Sequence, residues 1–239
     1  MSQIYFLAAL AASALLSGCA VYTPSLPTVP LVQQGGQAEV QASLATFTKP
    51  GLSVAYSPLR HVVLTADGSF GIRSRSDNPY RTRRQASVGG GFYAVVGQYL
   101  HLAALGSYGT AYSALRDQGS HDTITYQARY RPVSAQLSIS FLGEGASGGL
   151  VLRHTWLDVR ELRRNGQPVT GLATAYFEPT AFVRTGRGPW QGQFSLGLPM
   201  VDSNARLDLP RRTQRYLATN AVVVGLGVVL RPHLLGQGH

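Results

Sequence analysis

The chain has 239 residues, of which 44% are apolar and only 13% are charged, and its formal net charge is +10. The apolar share is too high for a disordered polyelectrolyte, and the single cysteine excludes both an intrachain disulfide framework and a cysteine-rich zinc site. Because the chain has 27 glycines and 12 tyrosines and few charged residues, its composition favours an all-β protein.

The N-terminus has the pattern of an export signal. Residues 4–16 form an apolar run that suits the hydrophobic region of a signal peptide and is too short to cross a bilayer as a helix. The run ends in Leu16-Ser17-Gly18-Cys19, which resembles the lipobox of bacterial lipoprotein signal peptides. The resemblance implies that residues 1–18 are removed and that Cys19 is acylated, so that membrane lipid is the first expected partner.

The next segment, residues 19–36, is predicted to be a tether. It contains Pro24, Pro27 and Pro30 and ends in Gly35-Gly36, with no apolar periodicity. Prolines keep a chain extended, and glycines make it flexible. We therefore predict an acylated Pro/Gly-rich tether that leads to a β-barrel domain over 37–239.

The domain that begins at residue 37 has the two-residue period of β-strands. In its ninth segment the apolar Phe194, Leu196 and Leu198 are separated by polar or small residues, as in a strand with one apolar face. The segments predicted to be strands are 37–47, 51–57, 61–72, 84–96, 99–112, 122–141, 146–160, 172–186, 190–200 and 217–231.

The sixth predicted strand, 122–141, changes phase in its middle. Its apolar residues before position 131 share one parity, and those after position 132 share the other. Arg131-Pro132 lies at the change, and we predict a β-bulge there that absorbs one extra residue.

The connections between the predicted strands alternate in length. They are long after the third, fifth, seventh and ninth strands and short after the fourth, sixth and eighth. Outer-membrane barrels have this pattern, with short periplasmic turns and longer external loops, and most of the predicted strands are long enough to cross a bilayer at a tilt. We therefore predict an antiparallel up-and-down β-barrel of about ten strands. It would be lipid-anchored in a bacterial outer membrane, with its N-terminus in the periplasm.

Several short motifs of the chain match one group of proteins. They are Cys19 with Tyr22, Val29-Pro30-Leu31 before Gly36-Gln37-Ala38-Glu39-Val40, Ala55-Tyr56-Ser57-Pro58 before His61, Gly89-Gly90-Gly91-Phe92-Tyr93, and Tyr176-Phe177-Glu178-Pro179. In these motifs the chain resembles the uncharacterised outer-membrane β-barrel-like lipoproteins of Bacteroidota-type bacteria. The resemblance implies a barrel-like protein of the cell envelope and no known activity.

Arginines cluster in and beside the predicted long loops. Guanidinium groups bind phosphate and carboxylate bidentately, so lipopolysaccharide, through its lipid A phosphates, or an acidic polysaccharide is the expected ligand. The candidate anion-binding residues are Arg73, Arg75, Arg81, Arg83, Arg84, Arg163, Arg164, Arg211, Arg212 and Arg215. A solvated, counter-charged rim is the alternative. A sequence pI of about 10.2 also suits a nucleic-acid partner, but an exported chain without a nucleic-acid-binding motif argues against one.

Because alternate residues of a strand share one face, their positions in the sequence put Asp67, Arg129 and Glu178 on polar strand faces, which we interpret as lumen positions. Buried charges need partners, so Glu178 is expected to pair with one of the strand arginines. Ten strands enclose little room beyond side chains. We therefore predict a plugged lumen rather than a wide pore.

No catalytic residue, metal site or cofactor is predicted. The six histidines form no pair with metal-ligand spacing. The Gly89-Gly90-Gly91 run lacks the Lys-Ser/Thr of a phosphate loop, so we interpret it as a place where strands pack closely.

The leading expectation is a structural or binding protein of the envelope. The alternative is a membrane-tethered soluble barrel of lipocalin type that carries an apolar ligand, and a barrel enzyme acting on lipid is third. In a lipocalin-like barrel the apolar strand faces would point inward. Periodicity alone does not distinguish the two orientations, because it reports alternation and not direction.

Overall fold

The computed structural model describes Tyr22 and residues 24–46, 48–71, 81–118, 123–169, 173–201 and 222–235. Ten long strands in this part form one closed antiparallel barrel, which confirms the predicted fold. The elements are β1 (Ala38–Ala45), β2 (Lys49–Tyr56), β3 (Val62–Phe70), β4 (Arg81–Val96), β5 (Leu100–Gln118), β6 (Thr123–Phe141), β7 (Ala146–Arg164), the two-residue β8 (Gln167–Pro168), β9 (Ala173–Thr185), β10 (Trp190–Gly197), the two-residue β11 (Met200–Val201), β12 (Val223–Leu230) and the 3₁₀ turn η1 (Pro232–Leu234).

The barrel is closed because each long strand pairs along both of its edges. The ends of the chain meet where β1 pairs with β12, with Ala42 opposite Val228. Two further pairings join strands that are not consecutive: β7 with β9, with Leu152 opposite Pro179, and β10 with β12, with Phe194 opposite Leu226. Closure leaves no long strand with a free edge, which is the condition for strands to lie in lipid.

The two ends of the barrel differ. At one end, the short-turn end, residues 97–99, 142–145 and 186–189 connect neighbouring strands, and β1 begins and β12 ends there. The long connections lie at the opposite end, the long-loop end. One of the predicted long loops is partly a hairpin, because Asn165 and Gly166, with φ of 51° and 80°, form a tight turn between β7 and β8.

The apolar face of the strands points outward, and the polar face lines the lumen. Phe92, Leu137 and Phe141 are 61–69% exposed on the outer wall, whereas Ser138 and Ser140 are buried inside. A lipocalin-type carrier needs the reverse arrangement, so that alternative is wrong. An apolar outer wall with a polar interior is the arrangement of membrane barrels. Among the described residues, no helix has the length and hydropathy of a membrane span.

Strand β6 keeps one alternation along its whole length, so the predicted bulge at Arg131-Pro132 is wrong. Tyr126 and Tyr130 point into the lumen, and Leu137 points outward, because the apolar residues change faces without any change in strand phase. The irregularity lies between Arg129 and Tyr130 in the β6–β7 pairing, and the extra residue belongs to β7.

The glycine run of β4 lies where two strands approach closely. A Cβ atom on Gly89 would lie 2.5 Å from the carbonyl oxygen of Gly106 on β5, and one on Gly91 would overlap the carbonyl oxygen of Ala104. Only glycine fits at these two positions. The run is therefore a packing feature inside a strand and not a phosphate loop.

Candidate functional site in the lumen and on the outer wall

The described part of the predicted tether lies inside the barrel. Tyr22 and residues 24–32, which we call the lumen segment, occupy the lumen, and Val29 and Leu31 are almost wholly buried. Pro24, Pro27 and Pro30 have no amide hydrogen to donate, so this stretch does not add to the sheet as another strand. This proline-rich stretch, predicted as a tether in solvent, lies within the barrel in its described part.

The wall holds the lumen segment through its carbonyl oxygens. Pairs of donor and acceptor are Lys49 Nζ with Pro24 O at 3.2 Å, Arg153 Nη2 with Ser25 O, Gln136 Nε2 with Thr28 O at 2.9 Å, Arg184 Nη2 with Val29 O at 2.8 Å, and His101 Nε2 with Val32 O at 3.0 Å. These donors come from five different strands around the barrel. The segment is therefore fixed from all sides.

Glu178 forms the centre of one buried polar cluster. Its carboxylate accepts hydrogen bonds from Arg153 Nε at 2.6 Å, Thr155 Oγ1 at 2.8 Å and Tyr22 Oη at 2.9 Å. Arg153 lies directly opposite Glu178 in the β7–β9 pairing. The structure thus places Glu178 in the lumen beside a strand arginine and joins both to the start of the lumen segment.

A second buried cluster surrounds Glu39, which was not among the predicted site residues. Arg184 Nη1 lies 3.0 Å from one carboxylate oxygen of Glu39, and Arg231 Nε lies 2.9 Å from the other. The amide of Leu31 also donates to Glu39, at 3.0 Å. Glu39 and Arg184 each occupy an inward position of their strand, which is the parity signal that could have found them.

Asp67 of β3 lies in the lumen, where it lines a cavity together with residues of the lumen segment. It accepts a hydrogen bond from Ser87 Oγ at 2.7 Å. A small polar cavity of about 30 Å³, lined by Asp67, Ser87, Arg153 and residues of the lumen segment, separates the segment from this side of the wall. Its size and its polar lining suit an ordered water molecule.

Arg129 does not lie in the lumen, which corrects the prediction. Its side chain is 72% exposed on the outer wall, 3.8 Å from Glu161. The parity argument failed here because β5, β6 and β7 extend beyond the apolar part of the wall. Beyond that part the outward face is polar as well, so polarity no longer marks the lumen side.

Arg129 belongs to a line of outward-facing side chains near the long-loop end. Arg84 lies opposite Tyr112, Tyr112 opposite Arg129, and Arg129 opposite Glu161 on four consecutive strands. Arg163 joins the line through its ion pair with Glu161. We call these residues the basic outer row. Shallow recesses of about 560 Å³ and 280 Å³ lie on the two sides of Tyr112.

The remaining predicted anion-binding residues do not join this row. The side chain of Arg83 is buried on the inner side of β4, and Arg164 occupies an inward position of β7, as Leu162 does. Arg81 is the first residue of β4, and nothing further is described for its side chain. Cys19 and Arg73, Arg75, Arg211, Arg212 and Arg215 lie outside the described residues.

One buried histidine and one Gly-x-Ser-x-Gly motif have structural explanations. His101 stacks on Tyr93 with ring centroids 5.5 Å apart while it donates to the lumen segment. Gly145-Ala146-Ser147-Gly148-Gly149 has the spacing of a hydrolase nucleophile elbow. Ser147, however, lies in β7 after a tight turn, without the strand-to-helix turn that exposes such a nucleophile. In the described ranges no three His, Cys, Asp or Glu side chains meet as metal ligands.

Comparisons with known proteins find little sequence similarity. No family model matches the chain, and no curated protein matches it. Among solved structures, the translocator domain of autotransporter NalP from Neisseria meningitidis is similar, with a TM-score of 0.49 and 13% sequence identity. The match covers 81% of this chain and 87% of that chain.

Proposed function

We propose that the protein is an outer-membrane lipoprotein with a non-enzymatic role, a barrel closed by its own lumen segment that binds phosphate groups of anionic lipid along the basic outer row. The observation that carries this proposal is the position of that row. Going along β6 toward the long-loop end, Val133 is the last apolar residue that faces outward. The next outward-facing residues in that direction are Arg131 and Arg129. On β7 the exposed Trp156 marks the same boundary.

Such a position corresponds to the headgroup level of a membrane. Aromatic rings of Trp and Tyr concentrate at this level, and arginines can keep their stems on apolar surface while their charged ends reach the headgroups. Tyr112 lies between Arg84 and Arg129, so a phosphate beside its ring would be within reach of two guanidinium groups. The lipid A phosphates of lipopolysaccharide are the ligand of this chemistry that we favour, and an acidic polysaccharide is the competing one.

The row carries a net positive charge. Arg84, Arg129 and Arg163 supply three guanidinium groups against the one carboxylate of Glu161, which contacts two of them. In this geometry Glu161 orients Arg129 and Arg163 without neutralising the row. A divalent or oligomeric anion is therefore better matched to the row than a single chloride ion.

Acylation of Cys19 is part of the proposal. The lipobox-like sequence supports acylation, because it indicates export with a lipid anchor. The apolar outer wall supports a location in lipid and is compatible with such an anchor. The anchor would keep the protein in the membrane even before the strands insert.

A binding experiment tests the role of the row. We expect the purified barrel in zwitterionic detergent to bind diphosphoryl lipid A, and the double variant Arg84→Gln/Arg129→Gln to bind it about 30-fold more weakly, since each arginine near a lipid phosphate contributes about 1 kcal/mol. Arg187→Gln, an exposed arginine at the short-turn end, is the matched control and should bind as the wild type does.

Two results would contradict the proposal. One is equal binding of lipid A by the wild type and the double variant, and the other is equal binding of lipid A with and without its phosphates. Binding of an acidic polysaccharide that is lost in the double variant, without binding of lipid A, would assign the row to the competing ligand.

A further inference from the structure

We infer that the outer wall along β5 is a binding groove for one acyl chain of the lipid whose phosphates bind the basic outer row, and that the end of this chain lies over Gly106 and Ala104. The inference rests on the proposed function, because the basic outer row is what holds the headgroup of such a lipid. Its own basis is an unfilled stretch of the apolar wall on the same strands, nearer the short-turn end.

Gly106 leaves space on the outer wall that the fold does not require. It faces outward and is exposed in the middle of β5, where its pairing with Gly90 and Ala135 continues without a bulge. A Cβ atom on Gly106 would have the carbonyl oxygen of Ser134 as its nearest neighbour, at 3.9 Å, so a side chain would fit. Glycine weakens the interior of a strand, and it often marks a place where a ligand approaches the backbone closely.

The neighbours of Gly106 enlarge this space. Ala135 faces outward directly opposite it on β6, and Ala104 is the next outward residue of β5 toward the short-turn end. A hollow of about 430 Å³ with a mainly apolar lining extends over Ala104, between Phe92 and Leu137. Small outward side chains on β5 and β6 therefore form the floor of a groove in a wall that is otherwise built of large ones.

The shape of the groove favours a single flexible chain over a second copy of the protein. Phe92 on β4 and Leu137 on β6 flank Ala104, and both are largely exposed. The wall of a second barrel is convex, so it would rest on these two side chains and leave the floor between them uncovered. An acyl chain is narrow enough to lie between them and to contact the floor.

The basic outer row lies at the upper end of the groove. Tyr112 is an outward residue of the same strand as Gly106, and the arginines that flank Tyr112 lie on β4 and β6, as the rims of the groove do. Ala86 and Thr110 line the recess beside Tyr112, so small side chains continue toward the groove. Tyr108 lies between Thr110 and Gly106, and the acyl chain would pass beside its ring. An anionic headgroup at the row therefore places its acyl chain at the start of the groove.

The length of the groove fits one lipid molecule. Tyr112 and Ala104 are eight positions apart on β5, which corresponds to about 19 Å along the axis of a barrel with strands tilted by about 45°. Half of a bilayer, from the headgroups to the midplane, is about 20 Å thick. The acyl chain of a lipid whose headgroup contacts the row therefore ends at the level of the hollow over Ala104.

Filling the groove tests the inference. Gly106→Leu puts a side chain on the floor of the groove and leaves the basic outer row unchanged. Gly192→Leu is the matched control, because Gly192 is also an exposed glycine with open space, where Thr185 Oγ1 would lie 3.9 Å from a Cβ atom. It belongs to β10, four strands away from β5 around the barrel. The probes are diphosphoryl lipid A and the same phosphorylated disaccharide without acyl chains, and only variants that change gel mobility on heating are measured.

We expect Gly106→Leu to bind lipid A about five-fold more weakly than the wild type, and to bind the deacylated disaccharide as the wild type does. The loss is modest because lipid and detergent tails are apolar too, so the groove contributes packing contacts and not transfer from water. Gly192→Leu should match the wild type with both probes. The double variant Arg84→Gln/Arg129→Gln should bind both probes more weakly, which separates the row from the groove.

Equal binding of lipid A by Gly106→Leu and the wild type, with the dependence on the arginines intact, would overturn the groove and leave the proposed function standing. Lipid A binding that does not depend on the arginines would overturn both. A wild-type dimer in detergent that Gly106→Leu dissociates, with lipid A binding unchanged, would assign this face to a second copy of the chain. If Gly106→Leu does not assemble, Ala135→Leu fills the groove from β6 and is judged by the same comparison.

Discussion

Glu178 shows how one buried carboxylate connects the wall to the lumen segment. It accepts hydrogen bonds from Arg153 and Thr155 of the wall and from Tyr22 of the segment. In a low-dielectric interior an unpaired charge is costly, so the arginine and the glutamate depend on each other. The main expected effect of the cluster on stability is therefore seen when one member is removed, because the other charge is then left buried without a partner.

A substitution at Glu178 tests this dependence. Glu178→Ala should lower the free energy of unfolding by about 3 kcal/mol, because Arg153 is left buried without its partner. Urea titration of the refolded protein in detergent measures the effect. Glu161→Ala, in an exposed ion pair on the outer wall, is the control and should cost at most about 1 kcal/mol. Equal losses in the two variants would show that the buried pair carries no such penalty.

A second variant separates the effect of the lost charge on stability from the effect of the lost packing. The double variant Glu178→Ala/Arg153→Met removes both charges, so it should recover part of the stability that Glu178→Ala loses. If the double variant is no more stable than Glu178→Ala, the loss comes from the missing contacts with Tyr22 and Thr155.

At the scale of elements, the strands were accessible to sequence reasoning and the lumen segment was not. Alternation predicts every long strand because the two-residue period is local. The partners of the lumen segment are remote, since Ser25 meets a donor 128 residues away and Val29 one 155 residues away. Prolines predict that the segment is extended, but only closure of the wall around it determines where it lies.

The basic outer row shows a second limit of local reasoning. Clustered arginines are visible in the sequence, but their side of the wall depends on where the apolar part of each strand ends. Arg84 and Arg163 point outward, whereas their neighbours Arg83 and Arg164 have inward parity. The basic outer row therefore contains only some of the arginines of each sequence cluster. It also contains Arg129, which the sequence predicted to lie in the lumen.

Removal of the lumen segment should open the barrel. In planar bilayers the wild type is expected to conduct no measurable ion current, because the segment fills the lumen. A variant that lacks residues 22–33 should conduct steadily. A second variant, in which Gly-Ser repeats of equal length replace residues 24–32, should flicker between closed and open levels, because it keeps the length of the segment and loses its apolar contacts.

The controls for this experiment concern assembly. Each variant must change its gel mobility on heating before its conductance is interpreted. A steady current through the wild type, or a closed barrel in the assembled deletion variant, would contradict the role of the segment as a plug.

At the scale of the whole molecule, two features could hold the protein in a membrane, the strands and a lipid on Cys19. They can be separated. The Cys19→Ala variant should fail to incorporate a labelled fatty acid, yet it should remain in carbonate-washed membranes and still change gel mobility on heating, because the apolar outer wall is intact. Release of this variant by carbonate would mean that the strands are not embedded and that the anchor alone holds the protein.

The seam between β1 and β12 has a consequence for the order of assembly. The lumen segment directly precedes β1, and its contacts reach β2, β5, β6, β7 and β9. A closed and filled barrel leaves no room for a chain end to thread through it afterwards. The strands must therefore assemble around the segment before β12 pairs with β1. Pairing of β12 with β1 would then enclose the segment, which stays inside the barrel for as long as this seam persists.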